Sequence, residues 1–463
     1  MNHVKRFKRS LFIFRRDLRL YDNHGLTQAI QQSQQVMACF IFDPKQVGAT
    51  NEYRSDNAVA FMVEALKDLD VQLHAQAGRL YLFYGEPFAC IENIIDQTSV
   101  DAIFYNRDYT PFSGKRDAAI AKICADRGVV VVVCNDLLLH EPETVATGGG
   151  TPYKTYTPFF KAARVCPVEK PHELPDAHWY TGTVHAAQTK DVYATVSPSD
   201  NKNRAVHGTQ KDAHEILASL KHFSHYATER NIPSLPTTHL SAYLKFGLLS
   251  IRHVYYALVK AVGIHSPLIA QLYWHDFFTH MLFHNPKLLG HAGIEKYDRL
   301  PWIYDKKKFQ AWCDGMTGFP LVDAGMRQLN ETGFMHNRVR MVTASFLVKD
   351  LQIDWRAGER YFAQKLVDYD PAINNGNWQW VASTGTCAQP YFRVFNPWIQ
   401  QKKFDPECEY IKTWIAELAD VPPQKIHTFF KAMQPLVPMY PLPMLDHSEA
   451  ARHAIEVFKH LEK

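Results

Sequence analysis

Thirteen residues in the C-terminal third of the sequence combine two carboxylates, a run of amides and two indoles. The stretch is Asp368-Tyr-Asp-Pro-Ala-Ile-Asn-Asn-Gly-Asn-Trp-Gln-Trp380. Asp368 and Asp370 can accept hydrogen bonds from hydroxyl or ring N–H groups, and Asn374 can donate or accept them. Trp378 and Trp380 offer flat faces for stacking or electron transfer. The combination suits a polar, aromatic ligand, and the alternative is a surface turn followed by two core indoles.

A second group of polar and aromatic residues recurs at helical spacing. Gln271, Trp274, His275 and Phe278 stand at positions i, i+3, i+4 and i+7. They therefore share one face of a predicted helix, on which an amide lies beside an indole. An amphipathic core helix would show the same spacing.

Two further segments place polar groups on predicted helices. Thr237-Thr-His-Leu-Ser241 precedes the helix-like run Ala242–Leu249, so its hydroxyls and backbone N–H groups could hold a diphosphate, although Ser and Thr are also ordinary N-caps. Asn337 and Met341 are i, i+4 neighbours on another predicted helix. Helical geometry turns His336 about 100° away from Asn337, so we interpret His336 as structural.

The N-terminal part of the chain alternates short apolar runs with helix-patterned segments such as Asn57–Asp70 and Lys115–Arg127. The predicted strands are Ser10–Phe14, Val36–Asp43, Arg79–Tyr84, Ala102–Asn106 and Val129–Asn135. This alternation predicts a doubly wound, parallel five-stranded sheet. No GxGxxG follows the first strand, so a dinucleotide site of that type is not predicted. We expect an α/β domain over residues 1–136, a linker over 137–205 and an all-α domain over 206–463.

Composition sets the class of protein. The length of 463 residues predicts two or three domains, and the apolar share of 46% is sufficient for a hydrophobic core in each. No apolar run reaches 18 residues, and no secretion signal follows Lys5, Arg6, Lys8 and Arg9, so we expect a cytoplasmic protein without a membrane span. The eight cysteines show no zinc-type spacing, and we expect most to be buried thiols and none to bind metal. A net charge of +4 permits phosphate binding without requiring it.

Taken together, the motifs resemble the photolyase/cryptochrome family, closest to class I cyclobutane pyrimidine dimer photolyases. The resemblance runs from about residue 10 to about residue 415. Besides the stretch at 368–380, it rests on Phe14-Arg-Arg-Asp-Leu-Arg-Leu-Tyr-Asp-Asn23, Tyr153-Lys-Thr-Tyr-Thr-Pro-Phe-Phe160, Thr237–Ser241, Trp274-His-Asp-Phe, Gly318-Phe-Pro-Leu-Val-Asp-Ala-Gly-Met-Arg327 and Met335-His-Asn-Arg-Val-Arg-Met-Val-Thr-Ala-Ser-Phe346.

The resemblance implies an FAD site in the helical domain. Asn374 matches the residue beside flavin N5, and Arg340 is expected to pair with Asp368 near the flavin, with a surface ion pair as the alternative. The positions that match FAD contacts are Tyr226, Thr237, Thr238, His239, Leu240, Ser241, His275, Arg340, Asp368, Tyr369 and Asp370.

The resemblance also implies an electron relay and a DNA surface. Trp302, Trp355 and Trp378 match the relay tryptophans, for which three core indoles are the alternative. The positions that match contacts to DNA or to a flipped-out lesion are Arg230, Gln271, Trp274, Phe278, Asn337, Met341, Trp380 and Gln400. Lys402 and Lys403 are candidates for phosphate contacts, or else ordinary solvated charges.

The expected activity is light-driven repair of cyclobutane pyrimidine dimers in UV-damaged DNA by a monomeric enzyme with reduced FAD. Asn106-Arg-Asp-Tyr-Thr-Pro-Phe112 resembles an antenna region for a second chromophore, either methenyltetrahydrofolate or a deazaflavin. Gln271 and His275 depart from bacterial dimer photolyases, which mostly carry Glu and often Arg there. A (6-4) photolyase would fit Gln271, while Asn337 and Met341 favour the dimer enzyme. A cryptochrome-type photoreceptor would share the flavin site and relay.

Overall fold

The structure is a computed structural model that describes residues 5–185, 192–199, 201–431 and 434–461. The chain packs as two compact units. Unit 1 comprises Met1–Asp200, Val206–Ser224 and His239–Pro286, and unit 2 comprises Asn201–Ala205, His225–Thr238 and Lys287–Lys463. These bounds assign two stretches of the predicted all-α segment to unit 1. The division into an α/β domain, a linker and an all-α domain stays a prediction.

Unit 1 contains the predicted five-stranded parallel sheet. Its strands are β1 (Phe7–Phe14), β2 (Ser33–Phe42), β3 (Leu80–Tyr84), β4 (Ala102–Asn106) and β5 (Val130–Cys134), in the spatial order β3-β2-β1-β4-β5. In the central strand β1, Phe12 is paired with Ala38 on one side and with Phe104 on the other. Both faces of this strand are buried, as its continuous apolar run predicts.

The rest of the regular structure described in both units is helical. In chain order the α-helices are α1 (His24–Gln32), α2 (Pro44–Val47), α3 (Asp56–Ala75), α4 (Pro87–Thr98), α5 (Pro111–Asp126), α6 (Tyr156–Ala163), α7 (Val192–Val196), α8 (Gln210–Ser219), α9 (Tyr226–Glu229), α10 (Leu240–Lys245), α11 (Ile251–Val262), α12 (Pro267–His284), α13 (Lys306–Cys313), α14 (Pro320–Thr332), α15 (Asn337–Ser345), α16 (Trp355–Lys365), α17 (Pro371–Ala382), α18 (Pro397–Phe404), α19 (Glu409–Trp414), α20 (Pro423–His427) and α21 (His447–His460). Short 3₁₀ segments lie at Leu220–Phe223, Pro286–Leu288, Glu295–Arg299, Ala416–Leu418 and Phe429–Lys431, and a π-helical turn lies at Phe346–Asp350.

Local sequence signals fix where many of these helices begin. Ser266 caps α12 and Asn396 caps α18, and a proline follows each cap at the first helical position. The cap side chain satisfies backbone N–H groups of the first turn, and proline lacks the N–H that would otherwise go unpaired.

The N-terminal motif has a structural role in unit 1. Arg19 Nη2 lies 2.6 Å from Asp136 Oδ2, and Arg252 of α11 pairs with Asp22 at 3.0 Å and with Asp136 at 2.8 Å. All four groups are buried. Burial alone would raise the pKa of Asp136, but Arg19 and Arg252 outweigh it and lower that pKa to about 2. The network joins helix α11 to the loops after β1 and β5.

Unit 2 is built on one apolar cluster that includes Trp312, Phe362 and Trp378. The π-helical turn Phe346–Asp350 is buried along its whole length. Its Lys349 side chain is fully buried, and its Nζ atom has no hydrogen-bond partner and lies 3.7 Å from the centroid of the Phe458 ring.

The predicted linker is partly attached to the sheet. Trp179 is buried and pairs with Val36 of β2, beyond the end of the shorter strand β3.

Four of the eight cysteines are buried and four are half-buried, so the expectation that most are buried was wrong. Among the residues that the structure describes, no helix has the length and apolar content needed to cross a membrane.

Candidate active site

The ion pair predicted between Arg340 and Asp368 is present in unit 2. Arg340 Nη2 lies 3.1 Å from Asp368 Oδ2, and Arg340 Nε donates to the carbonyl of Met335 at 2.7 Å. The Asp368 carboxylate is 6% exposed, whereas the guanidinium is 24% exposed. The pair therefore fixes a nearly buried negative charge at the start of the thirteen-residue stretch.

Asp370 has a structural task that the sequence analysis did not assign. Its Oδ1 atom accepts hydrogen bonds from the backbone N–H groups of Ala372 and Ile373, at 2.9 and 3.1 Å, and so caps α17. Asp370 is buried and Tyr369 half-buried. Because the cap fixes Asp370, it also fixes the direction in which α17 presents its side chains.

The side chain of Asn374 is held in one orientation on α17. Its Nδ2 atom donates to the backbone carbonyl of Glu359 at 3.0 Å. A carbonyl can only accept, so the amide nitrogen must face it and the amide oxygen must face away. Asn374 therefore presents an acceptor, which suits a ligand N–H group.

Glu359 lies beside this amide and was missed by the sequence analysis. It is buried, and burial raises its pKa to about 7. The position stands in a helix-patterned segment, Trp355-Arg-Ala-Gly-Glu-Arg360, and an isolated Glu there reads as a solvated surface charge. Only the packing of α16 against α17 shows that it is buried.

The three tryptophans predicted to relay electrons all belong to unit 2. Trp355 and Trp378 are buried members of its apolar cluster, and the half-buried Trp302 packs against that cluster. The Trp378 ring centroid is 6.3 Å from that of Trp312 and 5.0 Å from that of Phe362. One cluster thus contains or contacts all three indoles, and their action in sequence stays a prediction.

Gly358 makes room for Trp378. A Cβ atom at Gly358 would lie 2.2 Å from Trp378 Cη2 and 2.5 Å from Leu347 Cδ2. Gly358→Ala should therefore displace the indole and lower the free energy of unfolding by about 1–3 kcal/mol, as overpacking does. Thermal unfolding measures the loss. Gly114→Ala, where the new Cβ atom meets no atom within 4 Å, is the control; equal stability of the two variants would contradict the close packing.

Helix α15 presents the predicted pair Asn337 and Met341 on one side. Asn337 Nδ2 lies 3.9 Å from Met341 Sδ; Asn337 is exposed and Met341 half-buried. His336 is buried, and its Nδ1 atom accepts from the backbone N–H of Arg338 at 3.1 Å. The structural interpretation of His336 is confirmed, because it caps α15.

Two arginines of unit 2 lie near the candidate DNA surface. Arg230 is exposed and 6.0 Å from the ring centroid of the half-buried Tyr226. Arg338 donates to Asn231 Oδ1 at 2.7 Å and lies 4.6 Å from the Phe404 ring. Burial, followed by the charge of Arg230, lowers the pKa of Arg338. The two guanidinium groups therefore add positive potential to one region.

On α18, Gln400 has a buried Oε1 atom without a hydrogen-bond partner. Such an orphaned acceptor is ready for a ligand donor. Trp380 is half-buried against the apolar cluster, and Lys402 and Lys403 are exposed.

The predicted diphosphate segment is divided between the units. Thr237 and Thr238 belong to unit 2, while His239, Leu240 and Ser241 belong to unit 1. The sequence predicted a helix from Ala242, but α10 begins at Leu240 after His239, whose φ is +50°. This boundary was wrong because Leu240 and Ser241 already belong to the first turn of α10.

Helix α12 of unit 1 contains the predicted lesion-facing residues. Trp274 stacks on Tyr156 of α6, with ring centroids 3.5 Å apart and planes 6° apart, and Tyr156 Oη donates to the Ala270 carbonyl at 2.8 Å. Phe278 is buried and lies 5.4 Å from Trp274, so it supports the indole from the core side.

The remaining polar residues of this face are half-exposed. Gln271 Nε2 lies 3.3 Å from the Pro267 carbonyl, and His275 Nδ1 lies 3.4 Å from Asp276 Oδ1. Neither contact is with another predicted site residue. Both side chains therefore stay candidates for ligand contacts.

The predicted antenna region lies at the carboxyl end of β4. Asn106 and Tyr109 are buried, and Tyr109 Oη donates to Glu141 at 2.6 Å. Arg16, which follows β1, lies 3.4 Å from Asp108. Strand order reverses between β1 and β4, and ligands of open α/β sheets bind at such a point.

Comparison with known proteins covers both parts of the chain. Residues 10–176 match the family model described as DNA photolyase, and residues 268–460 match the model described as FAD binding domain of DNA photolyase. The deoxyribodipyrimidine photo-lyase of Escherichia coli is 36% identical over 471 residues, which cover 97% of this chain and 98% of that protein. The chain belongs to the DNA photolyase family. Another relative of the same name, from Alkalihalophilus pseudofirmus, is 34% identical over 96% of this chain and 97% of its own length.

Solved structures of photolyases have the same fold. A class III photolyase from Agrobacterium tumefaciens is 33% identical, with a TM-score of 0.91 over 100% of this chain and 99% of its own. A photolyase from Sulfolobus tokodaii with two FAD molecules is 39% identical, with a TM-score of 0.88 over 98% of this chain and 100% of its own. A Synechocystis cryptochrome is 26% identical, with a TM-score of 0.86 over 99% and 100%.

Proposed function

We propose that this protein is a deoxyribodipyrimidine photo-lyase, a flavoprotein that uses light to split cyclobutane pyrimidine dimers in UV-damaged DNA. The observation that carries the proposal is the match to two enzymes of that name over nearly the whole chain, at 34% and 36% identity. Reduced FAD, when bound, supplies the excited electron that opens the dimer and takes it back afterwards.

The polar groups of the thirteen-residue stretch fit FAD. Asp368 is a nearly buried carboxylate whose charge Arg340 balances, so it can accept from a hydroxyl or ring N–H without leaving an isolated buried charge. Asn374 presents an amide oxygen because its nitrogen is bound to the Glu359 carbonyl. That oxygen is suited to the N5–H group of the reduced flavin.

Other residues are proposed to hold the rest of the cofactor. Leu240 and Ser241, in the first turn of α10, would contact the phosphates, because both positions match FAD contacts of the family. Tyr226, Thr237, Thr238, His239 and His275 would add the remaining contacts.

The lesion is proposed to bind flat against Trp274, with Gln271 as a hydrogen-bonding partner of the bases. Asn337 and Met341 offer an exposed amide beside a thioether on one helix, which fits a ligand that has polar edges and an apolar ring. Arg230, Trp380 and Gln400 would bind the flanking DNA, and the orphaned Gln400 Oε1 would gain a donor. A dimer is easier to flip than a normal pair because its stacking is already impaired.

We also propose a second, light-harvesting chromophore at the switch point between β1 and β4. The Sulfolobus tokodaii photolyase with two FAD molecules implies a flavin antenna in that protein, so FAD joins methenyltetrahydrofolate and deazaflavin as candidates here. We also propose that the enzyme acts on UV-damaged DNA as a monomer in the cytoplasm.

The deciding experiment is repair of an oligothymidine that contains one cyclobutane dimer. The reduced protein should restore thymine under blue light and not in darkness, and chromatography measures the thymine that is restored. Trp274→Ala should bind the dimer about 5- to 150-fold more weakly, since stacking on an aromatic side chain contributes about 1–3 kcal/mol. Repair of a (6-4) oligonucleotide alone would assign the enzyme to the other lesion, and no repair of either by flavin-loaded protein would refute the proposal.

A further inference from the structure

Two imidazoles and a carboxylate converge at the start of α1 in unit 1. Asp22 Oδ1 lies 3.8 Å from His24 Nε2 and 3.9 Å from His172 Nε2. The three atoms all lie within 4.8 Å of one another. Over residues 5–185, 192–199, 201–431 and 434–461, no other group of three His, Cys, Asp or Glu side chains converges in this way.

His24 is held in the tautomer that a metal ligand needs. Its Nδ1 atom lies 2.9 Å from the carbonyl of Asn135, which can only accept, so Nδ1 carries the hydrogen. The Nε2 atom then carries the lone pair, and it is buried without a hydrogen-bond partner. A backbone carbonyl on the far nitrogen is the usual way in which proteins orient histidine ligands.

Asp22 is anchored through its other oxygen. Arg252 Nε lies 3.0 Å from Asp22 Oδ2, and Ser250 Oγ also donates to Oδ2. The Oδ1 atom faces the two imidazoles and accepts a hydrogen bond from the backbone N–H of His172 at 3.3 Å. The carboxylate is therefore fixed in place before any ion binds.

Neighbouring charges decide whether a cation is tolerated. The positive charge of Arg252 and the partial positive charge at the N-terminal end of α1 both repel a cation bound here. The buried carboxylates of Asp22 and Asp136 balance the guanidinium groups of Arg19 and Arg252, and Glu169 Oε2 adds a negative charge 3.8 Å from His24 Nε2.

We propose that Asp22, His24 and His172 bind a transition-metal cation of the zinc class, with Glu169 as the exposed fourth ligand. Two imidazoles with carboxylates suit Zn²⁺ and its neighbours, whereas Ca²⁺ and Mg²⁺ prefer oxygen alone. Ligand atoms on a tetrahedral ion lie about 3.4 Å apart, so each imidazole nitrogen must move roughly half an ångström closer to Asp22 Oδ1. The ring of His172 is 34% exposed and has room to move.

The site would tie the segment around His172 to α1. His24 and His172 already stack, with centroids 5.1 Å apart. An ion would replace this weak contact by coordination bonds. The proposed role is structural and independent of light-driven repair.

The test is calorimetric titration of Zn²⁺ into full-length, flavin-loaded protein that carries no polyhistidine tag and has been stripped with chelator. Wild type should bind one Zn²⁺ per chain with micromolar or tighter affinity, and its melting temperature should rise. His172→Ala should weaken binding at least about tenfold, and Glu169→Gln should weaken it less. His265→Ala, an exposed histidine elsewhere in unit 1, is the matched control and should bind like wild type.

Two results would overturn the site. One is the absence of saturable Zn²⁺ binding to wild type. The other is His172→Ala that binds as tightly as wild type, which would place the ion elsewhere.

Discussion

Trp378→Phe will abolish light-driven reduction of bound oxidised FAD while leaving FAD bound. Trp378 is the buried indole nearest along the chain to Asn374, and it stands one turn further on the same helix. A phenyl ring is harder to oxidise than an indole by far more than the ~3 kcal/mol that changes a rate a hundredfold. We therefore expect the photoreduction rate, measured by flavin absorbance under blue light, to fall below one hundredth of wild type.

Trp312→Phe is the matched control for this experiment. Trp312 is also buried in the same cluster, 6.3 Å from Trp378, and its Nε1 atom donates to the Thr343 carbonyl at 3.0 Å. Its replacement should cost stability but preserve photoreduction. Repair by chemically reduced Trp378→Phe protein should be retained. If Trp312→Phe instead stopped photoreduction and Trp378→Phe did not, the predicted relay would be wrong.

Lys349→Met will stabilise the protein at neutral pH. The Lys349 ammonium is buried without a hydrogen-bond partner, and burial lowers its pKa to about 7 from an ordinary value of 10.5. The unfolded chain therefore binds more protons than the folded chain between pH 7 and 10.5, so stability rises with pH across that window. Below pH 7, burial of the charged Lys349 side chain lowers the free energy of unfolding by its full amount, which is at most about 5 kcal/mol.

Methionine fills a similar volume without the charge. We expect Lys349→Met to raise the free energy of unfolding by about 2–4 kcal/mol at pH 7 and the gain to shrink towards pH 10. Thermal unfolding of both proteins from pH 6.5 to 10 measures the difference. The exposed Lys402→Met should change little at any pH. A loss of stability, or a gain that did not vary with pH, would contradict the account.

The sheet was predictable because strands β1, β2 and β4 are buried on both faces over most of their length. Continuous apolar runs marked all five strands, and β4 has the predicted bounds. The starts of β1 and β2 were placed too late, since Phe7–Arg9 and Ser33–Gln35 contain polar residues that lie at the end of the sheet. Polar side chains at strand ends do not show the apolar pattern on which the prediction rests.

The candidate site was predictable where its residues are close in sequence. The spacing of Asn337 and Met341, four residues apart, is confirmed by the structure. The pairing of Arg340 with Asp368 is also confirmed, although the two are 28 positions apart, because a largely buried guanidinium requires a carboxylate partner. The orientation of Asn374 was not predictable, because it depends on a backbone carbonyl of α16. His24 and His172 are likewise brought together by folding, and no local pattern joins them.

The stack of Tyr156 on Trp274 covers one face of the indole. A ring 3.5 Å away fills the space on its side, so any further ring must approach from the other. The bond from Tyr156 to the Ala270 carbonyl, one turn earlier on the helix of Trp274, holds the pair in register. Ordering a free side chain on binding costs about 0.5–1.5 kcal/mol, and a platform that is already ordered avoids this entropic loss. Trp274 is thus a preorganised, one-sided surface that gives direction to whatever aromatic ring stacks on it.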